Sequence, residues 1–199
     1  MSNSNGPISG SFNASKRLEL TTSNAPIRAN IGLKNDDDPD HTVKLCIKTN
    51  NSCDTLPYFL RSAADISCSP IDARISLLSD NKFKVVTTTS NGHVRVKFPH
   101  STVDSVLHLF AATSNFPAAV GLNPAFEGTF KLRTNIFRPS VNVSEVEDPA
   151  GEDRERIVEK ESGPRGAVEG TVQWVPDDDE KEQGSVVVKT SNSLLHLRL

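Results

Sequence analysis

Residues 22–33, TSNAPIRANIGL, contain a pattern that returns along the chain. In each copy a threonine is followed by an asparagine, either directly or after one serine. Because periodic self-similarity is the signature of repeat proteins, we interpret the copies as successive units of one architecture. The repeated threonines are Thr22, Thr49, Thr89, Thr113, Thr134 and Thr190.

Apolar and polar side chains alternate on both sides of most of these threonines. Apolar residues occupy the second and fourth positions before the threonine, as Leu20 and Leu18 do before Thr22, and the fifth, seventh and ninth positions after it, beginning with Ile27. A period of two residues is typical of a β-strand with one buried face. The pattern therefore predicts a unit of strand, turn and strand, in which both strands bury the same face.

The residues between the two strands of a unit favour turns. Asn tolerates left-handed backbone angles, Gly supplies positive φ and Pro presets φ. Because an asparagine recurs at the same position of the turn, stacked units are expected to align these side chains in a structural ladder. The predicted turn ladder consists of Asn24, Asn50, Asn91, Asn115, Asn135 and Asn192.

The second unit is interrupted. After Asn50 the pattern stops, and it resumes at residues 69–77, SPIDARISL, which match residues 25–33, APIRANIGL. We interpret residues 51–68 as an insertion. Cys53 and Cys68 lie near the two ends of this insertion, and closure of the interrupted unit would bring them close enough for a disulfide. A chain with three cysteines and no secretion signal favours reduced thiols instead.

The spacing of the repeats predicts how the units are arranged. Successive threonines are 27, 40, 24, 21 and 56 residues apart, and the large spacings coincide with insertions at residues 51–68 and 144–183. Spacings of 21 to 27 residues suit coils of an all-β, repeat-built β-solenoid, each stacked on the preceding one; a β-sandwich is the alternative. We predict a flexible tail over residues 1–14, rich in Ser, Asn and Gly, and a single β-repeat domain over residues 15–199.

Three segments carry a resemblance to a known family. FKVVTTTSNGHVRVKFP at residues 83–99, TSNAPIRANIGL at residues 22–33 and FEGTFKLRTN at residues 126–135 resemble an uncharacterised fungal domain family. That family is itself similar to bacterial putative-adhesin domains of the β-solenoid type. The resemblance covers residues 18–143 and 186–199. It implies the solenoid fold and an adhesin-like role, and it brings no catalytic motif.

Charge and composition limit the compartment and the chemistry. The formal net charge is −3, but residues 141–182 carry 14 acidic and 5 basic residues, which leaves 11 acidic and 17 basic residues elsewhere. No apolar run is long enough for a membrane span, and the first residues lack a signal peptide's apolar core. We expect a cytoplasmic or otherwise intracellular protein, with unconventional secretion left open. Without CxxC spacing or a Cys/His cluster, we expect neither a metal nor a cofactor.

The basic residues predict a binding surface. The strand after each turn directs Arg, Lys and His outward, and a sheet face lined with cations attracts polyanions. We therefore predict a non-catalytic binding or scaffold module for an anionic polysaccharide or protein partner; a solvated face without a ligand, or one that meets the chain's own acidic segment, is the alternative. The candidate residues are Arg28, Arg74, His93, Arg95, Lys97, His196 and Arg198.

Other functions have weaker support in the sequence. A lectin usually needs exposed aromatic platforms, and the chain has one Trp and one Tyr. A β-helix polysaccharide lyase would use Asp72 with Arg74 or Arg95, but no catalytic motif is present. The basic residues do not alternate with aromatic ones, which disfavours nucleic-acid binding. Self-association through solenoid ends or edges is expected, since the last strand, residues 196–199, has no predicted cover.

Overall fold

A computed structural model of the chain describes residues 1–35, 41–50, 69–164, 166–175 and 182–199. In these ranges the chain forms strands joined by turns and short irregular connections. The described strands, in chain order, are β1 (Ser2–Asn3), β2 (Ile8–Ala14), β3 (Arg17–Thr22), β4 (Ile27–Leu33), β5 (Val43–Thr49), β6 (Ile71–Leu77), β7 (Lys82–Thr89), β8 (Val94–Lys97), β9 (Val106–Thr113), β10 (Ala118–Gly121), β11 (Gly128–Arg133), β12 (Ser140–Asn142), β13 (Glu155–Gly163), β14 (Ala167–Val175), β15 (Gly184–Thr190) and β16 (Leu195–Arg198).

The described strands form two sheets. Sheet A has the spatial order β1-β3-β5-β7-β9-β15-β11-β14-β13, and sheet B has the order β12-β16-β10-β8-β6-β4-β2. Along the chain, strands β1 to β12 alternate between the two sheets, and β15 and β16 do the same. Their neighbours are parallel, and only the pairs that include β14 are antiparallel. This topology is that of a β-solenoid and confirms the predicted fold rather than the sandwich.

The core consists of rows of similar side chains along the stack. One row in sheet B runs through Ile8, Ile27, Ile71 and Val94, all of them buried. Burial of one such side chain contributes about 1.5–3 kcal/mol, and fixing each backbone residue costs about 1–2 kcal/mol. A single coil buries only a few large side chains, so it cannot offset the entropy cost of ordering its backbone by itself. It is stable only when it packs against neighbouring coils.

The six repeated threonines occupy equivalent positions at the ends of the sheet A strands. The register pairs Thr22 with Thr49 and Thr113 with Thr190, and all six side chains are buried. Their hydroxyls bond the main chain of the turns. Thr113 Oγ1, for example, donates to the carbonyl oxygen of Gly92 at 2.8 Å, in the neighbouring coil. At Thr22, Thr89, Thr113 and Thr190 the hydroxyl therefore ties one coil to the next, whereas Thr134 donates to Phe137 in its own turn.

We expect Thr113→Val to lower the free energy of unfolding by about 1–2 kcal/mol, because valine keeps the shape but leaves the Gly92 carbonyl without its donor. Thr87→Val is the matched control. Thr87 is fully buried on β7, and its hydroxyl has no hydrogen-bond partner among the described residues, so this change should leave stability unchanged or raise it. Urea unfolding measures both variants, and equal losses would contradict the role given to the hydroxyl.

The last repeat unit does not stack at the end of the solenoid. β15 lies between β9 and β11 in sheet A, and β16 lies between β10 and β12 in sheet B. Leu197, for example, pairs with Val120 on one side and with Val141 on the other. The predictions that every unit stacks on the preceding one, and that residues 196–199 have no cover, are therefore wrong. Equivalent coils present similar inward side chains, so the repeat pattern does not encode their spatial order.

Residues 1–14 form strands, not the predicted flexible tail. β2 pairs with β4 over its whole length, and Ile8 is buried. Residues 3–8, NSNGPI, lie in register with residues 22–27, TSNAPI. The segment is therefore a further copy of the repeat in which Asn3 takes the place of the threonine, which is why a search for threonine misses it.

A hairpin formed by β13 and β14 closes one end of the stack. β13 and β14 pair antiparallel, and β14 continues sheet A beyond β11. Trp174, the chain's single Trp, is 2% exposed, and its indole N–H donates to the carbonyl oxygen of Pro124 at 3.1 Å. The guanidinium group of Arg154 lies 5.8 Å from the centre of the Trp174 ring. We call this end of the stack the hairpin end and the opposite one the β2 end.

An ion pair fixes the loop before the hairpin. Asp148 accepts hydrogen bonds from Arg154 Nη2 at 2.9 Å and Nε at 3.1 Å, and from the main-chain N–H groups of Ala150, Glu152 and Arg154. The hydrogen bond from Arg154, followed by those from the backbone, holds the pKa of Asp148 well below its usual range. The carboxylate thus organises the start of the acidic segment.

Some predictions concern residues outside the described ranges. Cys53, Cys68 and the rest of the insertion at residues 51–68 lie there, whereas Cys46 is a half-buried free thiol on β5. In the part of the chain that the structure describes, no helix combines the length and the apolar content that a membrane crossing requires.

Candidate functional site

The outer face of sheet B brings the predicted basic residues together. Within each strand the inward positions are apolar, so Arg, Lys and His at the alternate positions point to solvent. Because the strands are parallel and in register, these positions form two outward rows across the sheet. His93 lies just before β8. The described strands of sheet B therefore direct five Arg and Lys side chains, and a single carboxylate, to solvent. The carboxylate is that of Asp72, and the cations are Arg28, Arg74, Arg95, Lys97 and Arg198.

The first row contains that carboxylate. It runs through Arg28, Asp72, Arg95 and His196. Arg95 Nη1 lies 3.8 Å from Asp72 Oδ2, and both side chains are about half exposed, so this ion pair is weak. A lyase would need Asp72 free to contact its substrate, whereas here the carboxylate lies beside Arg95.

His93 stands beside the first row. Burial lowers the pKa of His93 below its ordinary value, and the nearby Arg95 and Arg28 lower it further, while Asp72 raises it. The imidazole is therefore neutral at pH 7 and becomes easier to protonate when a negative charge approaches Arg95.

The second row is the floor of a groove. It runs through Ser11, Asn30, Arg74, Lys97, Gly121, Arg198 and Asn142, one residue from each described strand of sheet B. With strands about 4.8 Å apart, its six intervals span about 29 Å. Neither Arg74, Lys97 nor Arg198 forms an ion pair with a described residue. Three unneutralised cations thus lie in one row.

Two depressions follow this row and meet at Lys97 and Pro99. One, of about 500 Å³, extends from Lys97 towards β2 and includes Asn13, Asn30 and Arg74. The other, of about 290 Å³, extends from Lys97 to Arg198. We call the two together the sheet B groove; it runs along the solenoid axis.

Gly121 makes a notch in the groove floor between Lys97 and Arg198. A Cβ at this position would meet only Lys97 Cγ, at 3.8 Å, so the space above Gly121 is open. Asn123 and Ser144 also line this depression. The notch has a cation on each side and polar side chains at its end, which is an arrangement suited to a carboxylate or sulfate group.

The acidic segment neutralises sheet A rather than sheet B. Glu169 pairs with Lys131 and, at 3.8 Å, with Arg133, and Glu182 lies 2.5 Å from Lys82. These basic partners are on sheet A strands. The hydrogen bonds from Lys131 and Lys82 hold the pKa values of Glu169 and Glu182 below the ordinary range. Among the described ion pairs, the chain's own carboxylates thus leave the groove cations available.

The predicted asparagine ladder forms through side-chain amides at four of its six positions. Asn192 Nδ2 donates to Asn115 Oδ1 at 2.9 Å, and Asn115 Nδ2 donates to Asn91 Oδ1 at 2.7 Å. Asn24 donates to Asn5, which the sequence analysis did not include. Asn50 and Asn135 instead use their main-chain N–H groups, which donate to the carbonyls of Thr22 and Ser191. The side-chain amides thus bond the amides of neighbouring turns, which supports a structural role in linking the turns of the stack.

One arrangement on sheet A has the side chains of a hydrolytic triad. His108 Nδ1 lies 2.8 Å from Ser185 Oγ, and His108 Nε2 lies 3.9 Å from Glu182 Oε1. Acyl transfer also needs donors that hold the developing oxyanion. β15 has β9 on one side and β11 on the other, so the ladders use the N–H groups around Ser185. We therefore interpret these contacts as a structural hydrogen-bond chain.

Sequence reasoning found the basic residues of the groove and missed its uncharged ones. The strand register and the groove lining were needed to identify the uncharged groove residues, which are Ser11, Asn30, Pro99 and Gly121. For Asn30 a signal existed, since it is equivalent to Arg74 in the aligned repeats. Within the described residues, no three His, Cys, Asp or Glu side chains converge as metal ligands would.

Comparison of the chain with protein-family models, with curated proteins and with solved structures finds no match.

Proposed function

We propose that the chain is a non-catalytic, adhesin-like binding module whose sheet B groove holds an acidic polysaccharide. The observation that carries this proposal is the row of Arg74, Lys97 and Arg198, three cations without described ion-pair partners along the floor of one groove. Like charges on neighbouring strands destabilise a sheet. A polymer with an anionic group on successive sugar units would offset that repulsion along the whole row.

The polar groups of the groove suit a sugar chain. Asn13, Asn30, Ser76 and Asn123 line the two depressions and can bond hydroxyl groups. Phe12 and Leu78 add apolar surface near β2. Guanidinium groups bind carboxylates and sulfates in a bidentate manner, which adds geometric selectivity to charge attraction. The groove therefore combines polar and apolar groups that suit a sugar chain with cations that suit its anionic groups.

We expect Lys97→Ala combined with Arg198→Ala to weaken binding of a polyuronate by about tenfold or more at physiological salt, since each cation contributes about 1 kcal/mol. The matched control is Lys44→Ala combined with Lys84→Ala, two neighbouring cations on the outer face of sheet A. Isothermal titration measures both, with an uncharged polymer of the same sugars as the ligand control. Equal losses in the two double variants, or equal binding of the uncharged polymer, would overturn the proposal.

Catalysis is tested with the same material. Incubation of the protein with polyuronate should leave the polymer length unchanged and should release no unsaturated products. Turnover that disappears in Asp72→Asn would instead favour the lyase.

Binding should strengthen as the pH falls. The lowered pKa of His93 keeps the imidazole neutral in the free protein. A polymer carboxylate that extends from the groove to Arg95, which lies on the same strand as Lys97, would raise that pKa, so binding would be coupled to proton uptake. We expect affinity to increase by about two- to fivefold on acidification through the range just below the ordinary histidine pKa of about 6.5. His93→Gln should flatten this dependence, and an unchanged pH profile in that variant would contradict the coupling.

A further inference from the structure

At the β2 end of the stack, sheet B stops at an edge strand. Ile8 N–H donates to the carbonyl oxygen of Pro26 at 3.0 Å, and the carbonyl oxygen of Ala14 accepts from Lys34 N–H at 3.1 Å. Since main-chain groups alternate in direction along a strand, those of Ser9, Ser11 and Asn13 point away from β4. Among the described strands, none lies on that side of β2.

This edge lacks the features that usually prevent pairing. Edge strands are commonly protected by charged side chains, prolines or bulges within the strand, but residues 1–15 contain no Asp, Glu, Lys, Arg or His. Phe12 and Ala14 are partly exposed apolar residues packed against the core. At the hairpin end, the sheet A edge strand β13 directs Glu155, Glu159 and Glu161 to solvent, and the sheet B edge strand β12 has only three residues.

The sheet B groove reaches this edge. Ser11 is the first residue of its floor, and Ser11, Phe12 and Asn13 all line the larger depression. No described strand closes the groove beyond β2. A chain that pairs with β2 would extend the groove as well as the sheet.

We propose that two copies of this chain pair through β2, antiparallel about a two-fold axis. The same uncharged strand supplies both sides, so no like charges meet, and the free N–H and C=O groups around Ser11 find complementary partners. At the other edge of sheet B, β12 has only three residues and is too short to pair with β2 over its length, so association stops at a dimer. An axis perpendicular to sheet B keeps both grooves on the same face.

The dimer would join two grooves end to end. Each described sheet B has seven strands, so fourteen strands at about 4.8 Å give a continuous face about 60 Å long. One polymer could then contact both copies, and the second contact would be intramolecular. Pairing through β2 stands without the proposed function; only this joining of the grooves depends on it.

Light scattering on the full chain, from micromolar to near-millimolar concentrations, tests the dimer. The 21.6 kDa chain is expected to show about twice that mass at high concentration. Ser11→Lys should give the monomer mass, because two lysines would face each other across the axis. Ser76→Lys is the matched control, since it adds the same charge to the same face on the interior strand β6, and it should stay dimeric.

The outcomes separate this proposal from the proposed function. A monomeric wild type at all concentrations, or equal masses for Ser11→Lys and Ser76→Lys, would overturn pairing through β2. Circular dichroism checks that both variants are folded, which their solvent-facing positions favour. The double variant Lys97→Ala with Arg198→Ala should remain dimeric even though it binds polyuronate weakly. Loss of polymer binding alone therefore counts only against the proposed function.

Discussion

Deletion of residues 184–199 is expected to unfold the middle of the solenoid, not only the chain's last unit. The deletion removes β15 and β16, which separate β9 from β11 and β10 from β12. It also removes five large buried side chains, those of Val186, Val188, Leu195, Leu197 and Leu199. At about 1.5–3 kcal/mol each, their loss amounts to about 8–15 kcal/mol, which is comparable to the whole stability of a typical domain.

Hydrogen exchange measured by mass spectrometry locates the effect. Protection should disappear in β9 to β12, on both sides of the missing coil. Deletion of residues 1–14 is the control, because that coil lies at the β2 end and contributes one fully buried large side chain, Ile8. Its loss should reduce protection in β3 and β4 only. If β11 and β12 keep native protection without residues 184–199, the position of the last unit is wrong.

We expect Gly128→Ala to lower the free energy of unfolding by about 2–6 kcal/mol, through backbone strain of about 1–3 kcal/mol and overpacking of similar size. Gly128 has φ +139, a conformation that residues with a Cβ rarely adopt, and a Cβ there would overlap the carbonyl of Gly184 on the neighbouring strand. The two glycines pair in register. Together they leave room for the ring of Phe126, which lies against Gly184.

Two other glycines separate the causes. Gly151 has φ +71 but no atom near a Cβ position, so Gly151→Ala should lose about 1 kcal/mol through strain alone. Gly121 has neither a positive φ nor a close neighbour, and Gly121→Ala should leave stability unchanged while it fills the notch of the groove. Thermal unfolding ranks the three variants. A loss in Gly128→Ala no larger than that in Gly151→Ala would contradict the close approach of β11 and β15.

The candidate site was only partly accessible from sequence. The period-two pattern placed Arg74, Lys97 and Arg198 on an outward face, because the direction of a side chain on a strand follows from its parity. The pattern did not reveal that these three share one row, or that Gly121 lies between Lys97 and Arg198. A row is defined by the register between strands, and two paired members of this row, Gly121 on β10 and Arg198 on β16, are 77 residues apart along the chain.

Local sequence patterns were sufficient to predict the all-β repeat unit, the shared buried face of its two strands and the cationic character of the outer face of sheet B. These properties follow from alternation and turn chemistry within about a dozen residues. Three-dimensional packing instead sets the order of the coils, the place of residues 1–14 in the stack and the course of the groove. Coils with similar inward side chains can stack in more than one order, and only the summed long-range contacts, such as those of Phe126 with Gly184 and of Trp174 with Pro124, select one of them.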